Sequence, residues 1–411
     1  METKTAAIEM RNITKRFGPV LANDKVWLNI YRGEILALLG ENGSGKTTLM
    51  NMLSGIYFPD EGEIKIDGKE VVIRSPKDAF DNGIGMIHQH FKLVDVLTAA
   101  ENIVLGLPGK LDLKAASAKI REICDKYGFS VDPAQKIYDM SVSQKQTVEI
   151  VKVLYRGADI LILDEPTAVL TPQETDKLFA VLRNMRNDGK AIVIITHKMH
   201  EVEALSDRVA ILRHGQFIGD MLTAHTNAQE MTNMMVGHAV SLNIERPDPV
   251  DPKPRIEVKG LTVRSVDGIV KLDDVSFTAN SGEILGIAGI SGCGQKELLE
   301  AIAGLQTVES GSISYIEDDG SREELIGKDP LSIAELGVSL SFVPEDRLGM
   351  GLVGNMNLAD NMMLRSFRRG KSIFTDRRSP RALAESVVQE LSVSTPSVDT
   401  PVRRLSGGNV Q

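Results

Sequence analysis

Three short, mostly apolar runs of residues stand out along the chain. They cover Ile35 to Gly40 (ILALLG), Ala158 to Leu163 (ADILIL) and Ala191 to Thr196 (AIVIIT). Runs of this length without polar alternation are typical of strands that are buried on both faces of a parallel sheet. Helical patterns alternate with them, as in Lys46 to Ile56 and Thr147 to Gly157. The pattern therefore predicts a parallel α/β sheet.

From Lys92 to Arg156 the pattern is mostly helical, which predicts a helical subdomain over about 92–156. The apolar runs are far shorter than the ~18 residues that a membrane helix requires. The N-terminal segment METKTAAIEM contains no apolar signal core. A role at a membrane would therefore require the helices of a partner.

The chain contains an internal sequence repeat. The segment Arg32 to Gly68 reappears from Ser281 onwards, and five glycines align without a gap at a constant offset of 249 residues. Later matches pair Gly83 to Gln89 with Gly337 to Glu345, and MSVSQKQ with LSGGNVQ at the chain's end. Such a repeat predicts two homologous domains in tandem.

Prolines mark the boundary between the copies. The segment ERPDPVDPKPR has a proline at every second or third position from Pro247 to Pro254, which favours a stiff extended connector. We predict a first domain over 1–240, a linker over 241–255 and a second domain over 256–411.

Composition narrows the classes of function. The 411 residues carry a formal net charge of -9, which argues against a nucleic-acid-binding protein. The two cysteines, Cys124 and Cys293, lie in unrelated contexts and form neither a disulfide framework nor a zinc cluster. This usage suits a reducing cytosol.

A phosphate-binding loop follows the first apolar run. Gly40 to Thr47 fits G-x-x-x-x-G-K-[ST] between a strand and a helix, which is the context that the motif requires. Glycines let backbone N–H groups surround a phosphate chain. Lys46 is then expected to reach the β- and γ-phosphates, and the Thr47 hydroxyl to bind Mg²⁺. The alternative is a glycine-rich turn with an incidental lysine.

Two carboxylates directly follow the second apolar run. Asp164 is placed to hold Mg²⁺, and Glu165 to polarise an attacking water. Alone, the pair could be a solvated turn, but the upstream phosphate loop favours the functional interpretation. His197 directly follows the third run and by itself would more often be a capping or surface residue. A metal site at His197 with His200, or at His88 with His90, is weak because no third ligand accompanies either pair.

The first copy contains, in order, the phosphate loop, Gln89, the segment MSVSQKQ, the pair Asp164–Glu165, and His197. This order resembles the nucleotide-binding domain of ABC-type ATPases, in which a segment at the place of MSVSQKQ is called the signature. The resemblance spans nearly the whole chain in both copies. It implies two tandem P-loop ABC ATPase domains, each with a parallel-sheet core and a helical subdomain, with ATP and Mg²⁺ as cofactors.

The resemblance also implies residue roles. Gln89 would sense the γ-phosphate, His197 would contact it, and Phe17 would stack on adenine, although a core role for Phe17 remains an alternative. The implied nucleotide contacts are Phe17, Gly40, Asn42, Gly43, Ser44, Gly45, Lys46, Thr47, Thr48, Ser406, Gly407, Gly408 and Asn409. The implied catalytic residues are Glu165, His197 and Gln89, and the implied Mg²⁺ ligands are Thr47, Asp164 and Gln89.

In this family the phosphate loop of one domain faces the signature of the other, so LSGGNVQ would close the first site. Ser406 would donate its hydroxyl, and Gly407 and Gly408 would let the backbone approach the γ-phosphate. The tandem domains would thus pair within the chain.

The second pairing is degraded. Gln295 replaces the loop lysine, Lys296 stands where the Mg²⁺-binding hydroxyl is expected, and Glu345 replaces the sensor glutamine. The opposing signature has Val142 and Ser143 in place of glycines. These changes predict one hydrolytic site and one site that does not hydrolyse, and they leave open whether the second site binds nucleotide.

Fused domains with one decayed site resemble the ATP-binding subunits of sugar and nucleoside importers, most closely the nucleoside branch that works with basic-membrane-protein-type lipoproteins. The resemblance implies integral-membrane permease subunits, an indirect extracytoplasmic substrate-binding protein, and a peripheral location at the cytoplasmic face of the plasma membrane. A ribose/galactose-type importer is the alternative. A soluble ribosome-acting tandem ATPase is more remote, because such proteins usually keep both loops and a long charged linker.

The sequence stops before the second copy's counterparts of Asp164, Glu165 and His197. We expect it to be part of a longer protein, with a second domain that is C-terminally truncated here.

Overall fold

The computed structural model describes most of the chain. The described residues are 6–18, 20–88, 91–109, 111–168, 170–239, 248–265, 268–289, 292–336, 343, 347–364, 366–367, 375–405 and 407–410. They fall into two compact units, Met1–Leu242 and Asn243–Gln411. Among the described residues, no helix has the length and apolar character needed to cross a membrane.

The first unit alternates strands with helices. Its strands are β1 (Ala6–Phe17), β2 (Val20–Tyr31), β3 (Ile35–Leu39), β4 (Glu61–Ile66), β5 (Lys69–Val71), β6 (Ile84–Ile87), β7 (Ile160–Asp164), β8 (Ala191–Ile195), β9 (Arg208–Arg213) and β10 (Gln216–Leu222). Its helices are α1 (Lys46–Leu53), α2 (Pro76–Asp81), α3 (Ala99–Val104), α4 (Leu113–Tyr127), α5 (Val142–Tyr155), α6 (Pro172–Asn187), α7 (Met199–Leu205) and α8 (Ala228–Val236). Short 3-10 turns cover Ile137–Asp139 and Thr223–His225.

These strands form two sheets. The larger has the order β10-β9-β3-β8-β7-β6, with parallel pairing from β9 to β6 and an antiparallel edge strand β10. The smaller is antiparallel, with the order β2-β1-β4-β5. The three apolar runs form β3, β7 and β8, which lie side by side in the larger sheet.

Both faces of β3 are buried, which explains its lack of polar alternation. Leu36 and Leu38 pack with α1 and the antiparallel sheet, whereas Ile35, Ala37 and Leu39 pack with residues of α5 to α8. The parallel sheet is therefore the central layer of the first unit.

The helices α3, α4 and α5 lie within the range predicted as helical and have a core of their own. Capping side chains define where each begins. Thr98 and Ser141 form capping boxes with Glu101 and Gln144, and Asp112 accepts from two N–H groups of α4.

The second unit contains one four-stranded antiparallel sheet, with the order β12-β11-β13-β14. Its strands are β11 (Pro254–Arg264), β12 (Val270–Asn280), β13 (Ser310–Ile316) and β14 (Arg322–Glu324). Its helices are α9 (Gln295–Ile302), α10 (Pro330–Glu335), α11 (Leu358–Met363), α12 (Arg378–Glu390) and α13 (Gly407–Val410), with a 3-10 turn at Val402–Arg404 and a π-helical turn at Arg347–Gly351.

The counterpart of β3 in the second unit is not a strand. Residues 283–289 form no ladder, and Ile284 is 82% exposed. In the first unit, β8 and β9 flank β3 on either side. Within the described part of the second unit no strand supplies such partners, so this apolar segment lies open.

A buried ion-pair network stabilises the first unit's parallel sheet at the amino ends of β3 and β9. The Arg208 guanidinium lies 2.7 Å from the Glu34 carboxylate, contacts Asp220, and donates to the Asn29 carbonyl. Arg208 and Glu34 are both buried. Removing Arg208 would leave the Glu34 carboxylate buried without its compensating cation.

Arg208→Met should therefore lower the free energy of unfolding of the first unit by about 3 kcal/mol or more. The matched control is Arg32→Met, because Arg32 pairs with Asp67 at an exposed site and its loss should cost no more than about 1 kcal/mol. Urea unfolding of the full chain measures both. Equal midpoints for the two variants would contradict the assignment.

Candidate nucleotide site in the first unit

The site is built at one edge of the parallel sheet, where β3, β7 and β8 end. Leu38 of β3 and Asp164 of β7 both lie opposite Ile195 of β8 in the strand register. The phosphate loop follows Leu38, Glu165 follows Asp164, and His197 follows Ile195 by two residues. Parallel pairing therefore brings three distant stretches of sequence to the same edge.

The phosphate loop depends on glycine at its turns. Gly40, Gly43 and Gly45 have φ angles of 155°, 84° and 94°. At Gly45, a Cβ would lie 2.3 Å from the carbonyl oxygen of Ala22. Any other residue there would both strain the backbone and collide with β2.

Lys46 begins α1 and folds back over the loop. Its ammonium donates to the carbonyl oxygens of Gly40 (2.8 Å) and Glu41 (2.9 Å), and the residue is 7% exposed. Burial lowers the pKa of Lys46, while the nearby carboxylates Glu165, Asp164 and Glu41 act to raise it. A phosphate arriving in the loop would favour the charged ammonium in the same way.

Thr47 and Asp164 form the candidate Mg²⁺ site. The Thr47 hydroxyl donates to Asp164 Oδ2 at 3.2 Å, across the gap between α1 and β7. Burial raises the pKa of Asp164 and the Glu165 charge adds to the rise, whereas Thr47 and Lys46 oppose it. A bound cation would relieve that burial cost.

The donor set fits Mg²⁺. Hydroxyl and carboxylate oxygens are the ligands that this ion prefers, and it usually takes one or two protein carboxylates together with substrate phosphates and water. Among the described residues, no cluster of three or more His, Cys, Asp or Glu could hold a metal by itself. On the sequence alone, the pairs His197 with His200 and His88 with His90 are weak as metal sites, and His90 lies outside the described residues.

Glu165 and His197 contact each other. Glu165 Oε1 lies 3.0 Å from His197 Nδ1, and the Glu165 N–H donates to the carbonyl of Ile195. Glu165 has a φ of 47°, a left-handed conformation that is uncommon for a residue with a Cβ. Strain of this kind is often stored at functional sites, so the turn after β7 is a candidate for catalytic work.

Phe17 lies on the surface at the end of β1. It is 41% exposed and meets the ring of Tyr57 edge-on, with 5.1 Å between ring centroids. The core alternative for Phe17 is therefore not what the structure has. Tyr57, in the turn after α1, was not identified from the sequence, because a lone tyrosine in a turn carries no pattern.

Asn23 was also missed. It is fully buried on β2, and its side-chain amide donates to the Gly45 carbonyl at 3.3 Å. Within the described residues, Asn23 Oδ1 and Ser44 Oγ have no hydrogen-bond partner. A register irregularity between Ile13 and Lys15 of β1 shifts the inward face of β2 here, so residue alternation could not have indicated Asn23.

The remaining predicted residues are distributed as follows. Asn42, Gly43 and Ser44 lie in the loop, and Thr48 in the first turn of α1. Gln89 and Ser406 lie outside the described residues. Gly407, Gly408 and Asn409 belong to α13 of the second unit, where Asn409 Oδ1 accepts from the Ser394 N–H.

The second unit's own loop is built differently. Gln295, the counterpart of Lys46, donates its amide to the Ile287 carbonyl at 2.9 Å and brings no charge. Lys296 is directed along α9, with its ammonium 3.8 Å from Glu300. Neither side chain reproduces the buried ammonium of the first unit.

A family model described as ABC transporter matches residues 23–168 and 272–411. A nucleoside import ATP-binding protein, NupA, from Lactococcus lactis subsp. cremoris is 44% identical over 98% of this chain and 80% of its own length. A glucose import ATP-binding protein, TsgD13, from Haloferax volcanii is 40% identical over 100% of this chain and 80% of its own. A guanosine import ATP-binding protein, NupO, from Bacillus subtilis is 42% identical over 98% and 79%.

The two matched segments fall on the two copies of the repeat, one in each unit. They confirm the prediction of two tandem P-loop ABC ATPase domains. The chain belongs to the ABC transporter family, as a nucleotide-binding ATPase with two cassettes in tandem.

Proposed function

We propose that this protein hydrolyses ATP to drive the import of nucleosides, as the ATP-binding subunit of a membrane importer. The observation that carries the substrate is the 44% identity, along nearly the whole chain, to a nucleoside import ATP-binding protein. The similarity to a guanosine import ATP-binding protein supports the same class. The protein would act at the cytoplasmic face of the membrane, bound to permease subunits. An extracytoplasmic binding protein would deliver the substrate to those subunits.

The proposed mechanism assigns the phosphate chain to the loop from Gly40 to Thr48, with Lys46 on the β- and γ-phosphates. Thr47 and Asp164 would hold Mg²⁺, which supplies charge neutralisation when bound. The Glu165 carboxylate would accept a hydrogen bond from the attacking water and so polarise it, and His197 would contact the γ-phosphate. The 3.0 Å contact between these two side chains supports a joint role, because it fixes the direction of each.

Adenine is proposed to stack on Phe17. The exposed pair of rings formed with Tyr57 supports this role, because it offers an aromatic surface on which a base can stack. Gln89, as γ-phosphate sensor, and the signature from Ser406 to Asn409, as the second half of the site, remain proposals that rest on the motifs.

The proposed second site does not hydrolyse. Its loop lacks a buried cation because Gln295 is neutral, and Lys296 is directed towards Glu300. Without that charge, and with Glu345 in place of the sensor glutamine, the developing negative charge on the γ-phosphate would not be stabilised there.

A monosaccharide importer is the second candidate, favoured by the 40% identity to a glucose import ATP-binding protein. The mechanism would be unchanged, because the transported molecule does not react with this subunit. The ribosome-acting alternative has no comparable support.

Glu165→Gln should reduce ATP turnover by about 10²-fold or more, since a positioned base typically contributes ~10²–10⁴. Binding of ATP should persist, because the loop and Lys46 are untouched. Steady-state hydrolysis and a fluorescent-nucleotide titration measure the two effects. Glu203→Gln, an exposed change on α7, is the matched control, and a Glu165→Gln rate near that of wild type would refute the assignment.

Gly45→Ala should weaken ATP binding at least about tenfold, because a left-handed backbone without glycine is strained and the new Cβ would meet Ala22. Gly189→Ala is the control: its φ is also positive, at 87°, but nothing lies within 4 Å of its Cβ. Both variants carry backbone strain and only the first has the collision. Equal dissociation constants would show that loop geometry does not limit binding.

The substrate class is tested by uptake of labelled uridine, adenosine and ribose in cells that carry wild type or Glu165→Gln. Loss of nucleoside uptake with ribose uptake intact is the expected result. Loss of ribose uptake alone would move the protein to the monosaccharide branch, and unchanged uptake of all three would overturn the proposed function.

A further inference from the structure

A buried carboxylate links the two segments that carry Glu165 and His197. Glu201 of α7 is 3% exposed, although glutamate is seldom buried without a partner. Its Oε1 accepts from the Thr167 hydroxyl, and its Oε2 accepts from the Thr196 hydroxyl at 3.0 Å. Both threonines are themselves buried.

Lys198 completes the cluster. Its ammonium lies 3.0 Å from Glu201 Oε1 and donates to the Thr167 carbonyl at 3.2 Å. The Lys198 N–H also donates to the Thr196 hydroxyl. The buried negative charge is thus met by two hydroxyls and one cation, which is the condition for holding it in a protein interior.

The cluster is next to the proposed catalytic residues but does not include them. Thr167 follows Glu165 by two residues, and Thr196 immediately precedes His197. Displacing either segment would remove a donor from the Glu201 carboxylate and leave part of a buried charge unsatisfied. The carboxylate therefore resists relative movement of the turn after β7 and the end of β8.

We propose that Glu201, with Thr167, Thr196 and Lys198, is a positioning cluster that keeps Glu165 and His197 in register for ATP hydrolysis. The inference rests on the proposed roles of Glu165 and His197. Since a misplacement of about 1 Å can cost ~10²-fold in rate, a clamp on the backbone beside each residue controls turnover more than nucleotide binding.

Thr167→Val and Thr167→Ser form the first test, because valine keeps the branched shape without the hydroxyl and serine keeps the hydroxyl. On the full chain, Thr167→Val should lower kcat about tenfold or more and leave KM for ATP within about twofold, while Thr167→Ser should restore kcat. A thermal unfolding midpoint is recorded for each. Unchanged kcat in folded Thr167→Val would overturn the proposal.

Glu201→Gln is the second test, with Glu203→Gln on the same helix as the matched control. Glutamine nearly keeps the shape but removes the charge that pairs with Lys198. Glu201→Gln should lower kcat without raising KM, and Glu203→Gln should change neither. If Glu201→Gln lowers only the unfolding midpoint, the cluster is structural and the proposal fails.

If Thr167→Val does not fold, Lys198→Met probes the same cluster from its solvent side, because the Lys198 side chain is 33% exposed. A lower kcat supports the proposal and an unchanged kcat overturns it. Full turnover by Glu165→Gln would instead sink the underlying mechanism, so the two failures are distinguishable.

Discussion

In a parallel sheet, the carboxyl ends of neighbouring strands meet at one edge, and the chemistry of the first unit depends on that geometry. The phosphate loop follows β3, Glu165 follows β7, and Thr196 and His197 follow β8, and the register places Leu38 and Asp164 opposite Ile195. Because the strands are buried on both faces, they cannot slide without losing core packing. This fixed register accounts for the short contacts between Thr47 and Asp164 and between Glu165 and His197.

At this edge of the sheet, the protein groups alone do not offset the cost of burying the charged Lys46 and Asp164 side chains. The Lys46 ammonium is held by carbonyl oxygens, and burial lowers its pKa while it raises that of Asp164. Each shift would be reduced by a ligand that brings phosphate and a divalent cation together. In the second unit, Gln295 occupies the lysine's place without a charge, so that position offers no cation to attract a phosphate chain.

Features that depend on local spacing could be predicted from the sequence. The loop from Gly40 to Thr47 and the acidic pair after β7 follow from a motif and an apolar run. Asn23 and Glu201 could not be predicted, since Asn23 depends on a register irregularity in the pairing of β1 with β2 and Glu201 on a contact with a residue 34 positions away along the chain. In HEVEAL, Glu201 has the ordinary pattern of a solvated helix. Gln89 and the signature stay predictions.

The central claim is that the first unit's site alone hydrolyses ATP. The most direct measurement incubates the full chain with Mg²⁺, vanadate and photoactivatable 8-azido-ATP, removes free nucleotide, irradiates, and maps the label by mass spectrometry. The account predicts vanadate-dependent label on peptides that contain Phe17 or Tyr57. Vanadate-dependent label on peptides of the second unit's sheet or loop would contradict it.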